Sequence, residues 1–219
     1  MLAPDGDDFS AEDVQQAYQI VGQRLESLAA AGQISGGYTL DNDGVALTVR
    51  LNPGEMPLDD ILKALTTSRY LEFVDFSTLS GIALTDYTGQ PILTSAGLAR
   101  TGGDAAGQDI FPTVLTHTDI DSARAFLDDY GQWVIEISLT PDGAIRLGEF
   151  SEAHIGLGMA IVLDGIVLSI PTIQSRVESP VILSGTFTEL ESLALAVQID
   201  SQPLTVTLRV ESVTQIQQP

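Results

Sequence analysis

Two apolar runs, Met159 to Leu163 and Ile166 to Ile170, are separated by the dipeptide Asp164-Gly165. An Asp-Gly pair tolerates the positive φ angles of a two-residue turn, so this spacing predicts a β-hairpin. Helical patterns surround it. Ser10 and Asp13 read as an N-cap ahead of Val14, Ala17, Val21, Leu25 and Leu28, which recur at helical spacing; with Gly32 as a stop, they predict a helix over 10–31. Tyr38-Thr39-Leu40 and the run 45–51 flank Asp41-Asn42-Asp43-Gly44, a second hairpin. Pro57 opens a helix with Leu58, Ile61, Leu62 and Leu65 on one face, followed by a strand over 70–76. Residues 10–76 thus predict one small sheet with two helices on one face.

The stretch 77–110 reads as a hairpin and linker, with short apolar pieces at 81–84 and 92–93 and the run Thr101-Gly102-Gly103-Asp104-Ala105-Ala106-Gly107. Beyond Phe111 the pattern predicts strands at 133–139 and 181–183 and a helix over 142–155. Thr188 and Glu191 form a capping box for a helix over 190–199, whose apolar face carries Leu193, Ala194 and Val197. The alternating run 204–210 has no partner nearby in sequence and is expected to return to an earlier sheet. No repeat of fixed period occurs. The class is α+β.

Thirty Asp+Glu against nine Lys+Arg give a net charge of −21 and a sequence pI near 4.1. Such a surface repels phosphate backbones and anionic headgroups, which argues against nucleic acid and electrostatic membrane docking. The absence of cysteine excludes disulfides, thiolate metal sites and cysteine nucleophiles. No run of 18 apolar residues occurs, so no membrane insertion by this segment is expected. The opening MLAPDGDDFS lacks the basic and apolar regions of a signal peptide. Either the protein is cytosolic or a targeting or anchoring segment lies outside this sequence.

The chemistry-bearing residues form no catalytic pattern. His117 falls in Thr116-His117-Thr118-Asp119, read as a turn or cap, and His154 falls at a helix C-terminus, where an imidazolium suits the dipole. The pairs Asp7/Asp8, Asp59/Asp60, Asp119/Asp121 and Asp128/Asp129 read as solvated turns and helix starts rather than acid–base pairs. The DNDG run puts its glycine fourth, where a calcium loop needs it sixth, so it reads as a turn. Gly102-Gly103 and Gly156-x-Gly158 lack the strand–helix context of a phosphate loop. No catalytic, cofactor or metal residue is assigned, and the protein is expected not to be an enzyme.

Ile155-Gly156, Met159-Ala160-Ile161-Val162-Leu163-Asp164-Gly165 and Ile166-Val167-Leu168-Ser169-Ile170-Pro171-Thr172-Ile173 together resemble the run "iGk…laivLDG.viSaPvI" of the SecD/SecDF protein-export family. Gly185-Thr186-Phe187-Thr188 is similar to its "GnFT", and Leu204-Thr205-Val206-Thr207-Leu208 stands at its "LPVPL". Arg24-Leu25-Glu26-Ser27-Leu28, Val49-Arg50-Leu51-Asn52-Pro53-Gly54 and Leu71-Glu72-Phe73 are similar to "RvdaLG", "VeLPG" and "LeF". The resemblance is to the large extracytoplasmic, P1-type domain. It implies a ferredoxin-like base over 9–110, completed by a strand at 204–213, with an inserted α+β head subdomain over 111–200. It also implies a place on the outer face of the cell membrane, held by an anchor absent from this sequence.

There are departures. The family's first strand, near "GLDLrGG", is missing before Ser10; both prolines of "LPVPL" are Thr205 and Thr207; Thr186 replaces an asparagine. No transmembrane carboxylates are present, so the chain alone cannot couple proton flow. It is either an excised domain or a paralogue without the motor.

By resemblance the head grasps unfolded polypeptide emerging from the export channel, so unfolded polypeptide and Sec translocon components are the expected partners. The candidate contact residues are Asp164 and Gly165 at the hairpin tip and Ile173, Gln174, Val177 and Pro180 in the loop 173–180. A clamp needs exposed apolar patches or free strand edges there. The alternative is a freestanding interaction or assembly module that binds a folded partner.

Overall fold

The computed structural model describes residues 1–5, 9–79, 84, 86–102 and 107–214. The Asp7/Asp8 pair, residues 81–83 of the expected hairpin and residues 103–106 of the expected linker lie outside these. In chain order the elements are β1 (Leu2–Pro4), α1 (Ala11–Ala30), β2 (Ile34–Asn42), β3 (Leu47–Pro53), α2 (Leu58–Thr66) and β4 (Leu71–Asp75). Then come β5 (Leu93–Thr94), α3 (Ser95–Thr101), β6 (Ile110–Phe111), β7 (Thr113–Leu115), β8 (Ile120–Leu127) and β9 (Trp133–Leu139). The last are α4 (Pro141–Ala153), β10 (Met159–Leu163), β11 (Ile166–Ser169), β12 (Val181–Phe187), α5 (Glu189–Asp200) and β13 (Leu208–Val210). The class is α+β, as expected.

Two compact units divide the chain. The first comprises Met1–Ser68, Arg124–Val134 and Ser184–Pro219; the second comprises Arg69–Ala123 and Ile135–Leu183. A further three-stranded sheet has the order β12-β9-β8.

In the first unit the sheet order is β13-β1-β3-β2, all antiparallel. Ser10 and Asp13 form a full capping box at the start of α1, each supplying the acceptor that an unpaired N–H of the first turn needs. The stripe Val14, Ala17, Val21, Leu25 and Leu28 is buried and packs in one core with Leu47 of β3, Ile61 and Leu65 of α2 and Leu208 of β13. The returning C-terminal strand is confirmed, though only Leu208–Val210 is paired. A strand does precede Ser10: β1 pairs with β13 from Leu2↔Val210 to Pro4↔Leu208. Helix α5 packs against both α1 and α2. Of its three expected core positions only Val197 is fully buried, and Ala196 and Ile199 join it because the helix meets neighbours on two sides.

In the second unit the sheet order is β11-β10-β4-β7. Strand β4 therefore does not join β2 and β3, as the simple helix–strand order suggested. Its first four residues, Leu71, Glu72, Phe73 and Val74, are all buried, so both of its faces are covered and it needs a strand on either side. Strand β10 supplies one, from Met159↔Asp75 to Leu163↔Leu71, and β7 supplies the other. The core here gathers Val74, Phe76, Phe111, Ala160, Val162 and Val167. The stretch expected to be hairpin and linker holds instead the short helix α3 and a parallel pairing of β5 with β6, Leu93↔Ile110 and Thr94↔Phe111.

Candidate functional site

The six candidate contact residues all lie in the second unit, yet the fold places them at opposite ends of one hairpin. Asp164 and Gly165 close the tip with φ angles of 53° and 78°, the left-handed values that an Asp-Gly turn accommodates. The loop 173–180 leaves from the open end, where Gly158 bridges to Thr172 and Ile173 exchanges backbone hydrogen bonds with 156–157. Five strand residues separate the two ends, about 17 Å at about 3.4 Å per residue.

At the tip the Asp164 carboxylate is occupied. Its Oδ2 accepts from Arg69 Nη1 at 2.7 Å and its Oδ1 from the Tyr70 backbone N–H at 2.8 Å. The backbone N–H of Asp164 donates in turn to the Tyr70 carbonyl at 2.9 Å, and Ile92 N–H donates to the Gly165 carbonyl at 2.8 Å. This turn is pinned to the start of β4 and to the segment before β5. The outer edge of β11 is also covered, since Val167 exchanges hydrogen bonds with Gly89 and Gln90.

The loop 173–180 is fastened to α4 and to the end of β9. Ser151, fully buried, accepts the Val177 N–H at 2.7 Å, and Ser179 Oγ accepts the Leu139 N–H at 2.9 Å. Arg176 donates to Glu152 at 2.7 Å while its guanidinium lies over Gly148. Ile173 is 4% exposed, so its side chain supports the loop from inside. Gln174 and Pro180 are exposed and Val177 is half-buried; these three present the loop's outer surface. The residues that hold the candidates in place, Arg69, Ser151, Arg176 and Ser179, carry no local sequence signal. Asp164 and Arg69, for instance, meet across 95 positions.

The other groups read from sequence have structural partners. Asp43 Oδ1 accepts the Val45 and Ala46 N–H groups at 2.9 and 2.8 Å, which holds the DNDG turn and lowers the carboxyl's pKa. His117, 1% exposed, lies in a short 3-10 turn edge-on to the Tyr70 ring, with Thr116 and Asp119 capping it reciprocally. His154 stands at the C-cap of α4, where its Nδ1 lies 2.7 Å from the Phe150 carbonyl and its ring stacks on Phe150. Asp128 Oδ1 accepts two backbone N–H groups of the turn between β8 and β9. Among the described residues no cluster of three or more His, Asp or Glu is placed to hold a metal ion. No helix among them is long and apolar enough to cross a membrane.

Residues 105–206 match the protein family described as SecDF, P1 head subdomain. The chain is 32% identical over 110 residues to the protein translocase subunit SecDF of Thermus thermophilus, covering 50% of this chain and 15% of that protein. It is 36% identical over 92 residues to the subunit SecD of Aquifex aeolicus, covering 41% and 18% respectively. The matched stretches thus span less than a fifth of these relatives. Among solved structures, the fold matches one described as "Structure and function of a membrane component SecDF that enhances protein export", with a TM-score of 0.66 and 23% identity over 98% of both chains. It also matches a crystal structure of SecDF in the "Super-membrane-facing form", with a TM-score of 0.62 and 22% identity over 96% of this chain and 29% of that one. The resemblance carried by the motifs between Ile155 and Leu208 is borne out.

Proposed function

We propose, from the premise that this chain is a P1-type domain of the SecD/SecDF family with a P1 head subdomain at residues 105–206, that it assists protein export by holding segments of unfolded polypeptide. It does so outside the cytoplasm, by contact and without catalysis, alongside the other components of the Sec translocon. The observation that carries this reading is the family match over 105–206, which contains every candidate contact residue. The geometry adds support. Gln174, Val177 and Pro180 are displayed on a loop tied to α4 at Val177 and to β9 at Ser179, so a passing chain meets a surface already in shape. Pre-ordering lowers the entropy lost on binding and suits weak, sequence-tolerant contact. Asp164 and Gly165 contribute by fixing the far end of the same hairpin.

The test is a titration against a permanently unfolded, labelled polypeptide, with its folded form as control. The reading expects saturable binding of the unfolded form alone, weakened several-fold by Gln174→Glu and Val177→Glu. Absence of binding to either form at high protein concentration overturns it and turns attention to a folded partner, the role of a freestanding assembly module.

A further inference from the structure

Between α4 and β10, within the second unit, residues 154–158 make a turn whose backbone is tied at successive positions. His154 N–H donates to the Ser151 carbonyl at 3.2 Å, and Leu157 N–H donates to the His154 carbonyl at 3.1 Å. Gly156 N–H donates to the Ile173 carbonyl at 2.8 Å, and Ile173 N–H donates back to the Leu157 carbonyl at 2.9 Å. Gly156 takes a φ of 86°, the left-handed value that lets the chain turn at once toward β10. The side chains on either side of it, Ile155 and Leu157, are 56% and 37% exposed. Their exposure belongs to a fixed turn and not to a loose loop.

Exposed apolar side chains that stand singly are ordinary. Here two stand within three positions, and their surroundings are apolar too. The hydrogen bonds to Ile173 set the pair beside the start of the loop 173–180, and Phe150, half-buried, stacks on His154 at the adjoining end of α4. In a chain with thirty carboxylates, residues 153–163 and 165–177 carry none. The carboxylate just before them, Glu152, is paired with Arg176 at 2.7 Å. An apolar side chain can therefore be buried where these segments meet without stripping water from an unpaired charge.

We propose that Ile155 and Leu157 select what the polypeptide site of the second unit holds: segments carrying large aliphatic side chains, gripped through those side chains, rather than polar segments. This rests on the reading that the protein holds unfolded polypeptide, and it adds the class of segment. A folded protein buries its aliphatic side chains and an unfolded one offers them, so a rigid apolar display distinguishes the two. The pair supplies the apolar area from which affinity comes, and Gln174 supplies polar contact to the segment's backbone. A second copy of this chain is a poor occupant, because two surfaces of net charge −21 repel.

The test uses the whole chain and two labelled, end-blocked peptides: repeats of Gly-Ser-Leu-Gln, and the same peptide with every leucine replaced by serine. A permanently unfolded polypeptide is titrated alongside. The expected result is saturable binding of the leucine peptide and not of the serine peptide. Ile155→Ser and Leu157→Ser should each weaken it about fivefold, with urea midpoints unchanged because both side chains are exposed. Ile155→Leu should bind as the unsubstituted protein does. Tyr130→Ser, at a side chain 89% exposed in the first unit, should change nothing. Equal binding of the two peptides overturns the proposal, and so does an equal loss from Tyr130→Ser, the mark of general adhesion. If the unfolded polypeptide binds and neither serine variant weakens it, the selection by Ile155 and Leu157 fails while the unfolded-chain site stands. If the unfolded polypeptide does not bind at all, both fall. A dimer in sedimentation that Ile155→Ser dissolves also overturns the proposal, since a second copy is then the occupant.

Discussion

The hydroxyl of Ser151 accepts the backbone N–H of Val177 at 2.7 Å while donating to the Gly148 carbonyl at 3.1 Å, and the residue is fully buried. One side chain in α4 thereby fixes the middle of the loop 173–180. Ser151→Ala removes the acceptor and leaves the Val177 N–H without it. The expected loss is about 1–3 kcal/mol, read as a lower urea midpoint with an unchanged slope. Hydrogen exchange should quicken at Val177 more than in β10.

At the other end of the hairpin, Asp164→Asn keeps a residue that tolerates the left-handed turn but removes the charge facing Arg69. Asp164→Ala removes both acceptors and the turn preference. With the pair about one-third exposed, the expected costs are under about 1 kcal/mol for the asparagine and about 1–2 kcal/mol for the alanine. Equal costs would mean that the Tyr70 N–H bond contributes nothing.

Acid should loosen the helix starts before the sheets. Backbone and side-chain hydrogen bonds from Ser10 hold the Asp13 carboxyl below its usual 3.8, and those from Thr188 hold Glu191 below its usual 4.5. For a carboxylate with a lowered folded pKa, the stabilisation is complete above the unfolded value and is lost as pH falls through the folded one. Both caps therefore stabilise fully above about pH 5 and fade below about pH 4. Glu191→Gln keeps the capping geometry without the titration, so its thermal midpoint should depend less steeply on pH in that window.

Elements whose signal is local were legible in the sequence. The Ser10/Asp13 cap with its apolar stripe marked α1, and the Asp164-Gly165 turn marked the hairpin, because each rests on residues within a few positions of one another. Partners at a distance were not legible. The pattern of β4 identified a strand, but nothing in Leu71 to Asp75 says that its neighbour lies at 159–163. Strand β1 has three residues and pairs across more than 200 positions, too short for any periodicity to show. Strand β8 escaped because its middle, Asp121-Ser122-Ala123-Arg124-Ala125, is small and polar on both faces, as an edge strand permits. The same distance problem splits the candidate site. Asp164 and Gln174 are close in sequence, yet the hairpin holds them at its two ends.

Arg24 lies inside the family-like run 24–28, and its burial gives that arginine a physical reason. The side chain is wholly buried, and burial pushes its pKa down to about 10, which leaves it charged at neutral pH. Its partners are neutral. It donates to Ser201 Oγ at 2.7 Å and to the carbonyls of Ala64, Leu65 and Thr67 at 3.2, 3.0 and 2.9 Å. Those carbonyls end α2, where the helix dipole favours a cation. Arg24→Lys keeps the charge but cannot span all four acceptors from one ammonium. A loss of about 1.5–3 kcal/mol is expected, with faster exchange at the end of α2 as the local sign.

Two glycines separate a clash that must be absorbed by backbone from one that a side chain can absorb. A Cβ on Gly54 would meet the Gly32 carbonyl oxygen at 2.5 Å and the Gln33 carbonyl at 2.9 Å, while the Gly54 N–H donates to Gln33 O at 2.8 Å. Relief at Gly54 therefore requires moving the chain that leads into β2. A Cβ on Gly148 would come equally close, 2.5 Å, but to the guanidinium of Arg176, the far end of a flexible side chain. Gly54→Ala is expected to cost about 1–3 kcal/mol, as overpacking against an immovable neighbour does. Gly148→Ala should be near neutral, since gaining an alanine within α4 is worth about 0.5–1 kcal/mol against the lost Arg176–Glu152 contact. Urea midpoints of the two variants check the contrast. A large loss at Gly148 would mean that Arg176 is held more firmly than its one exposed ion pair implies.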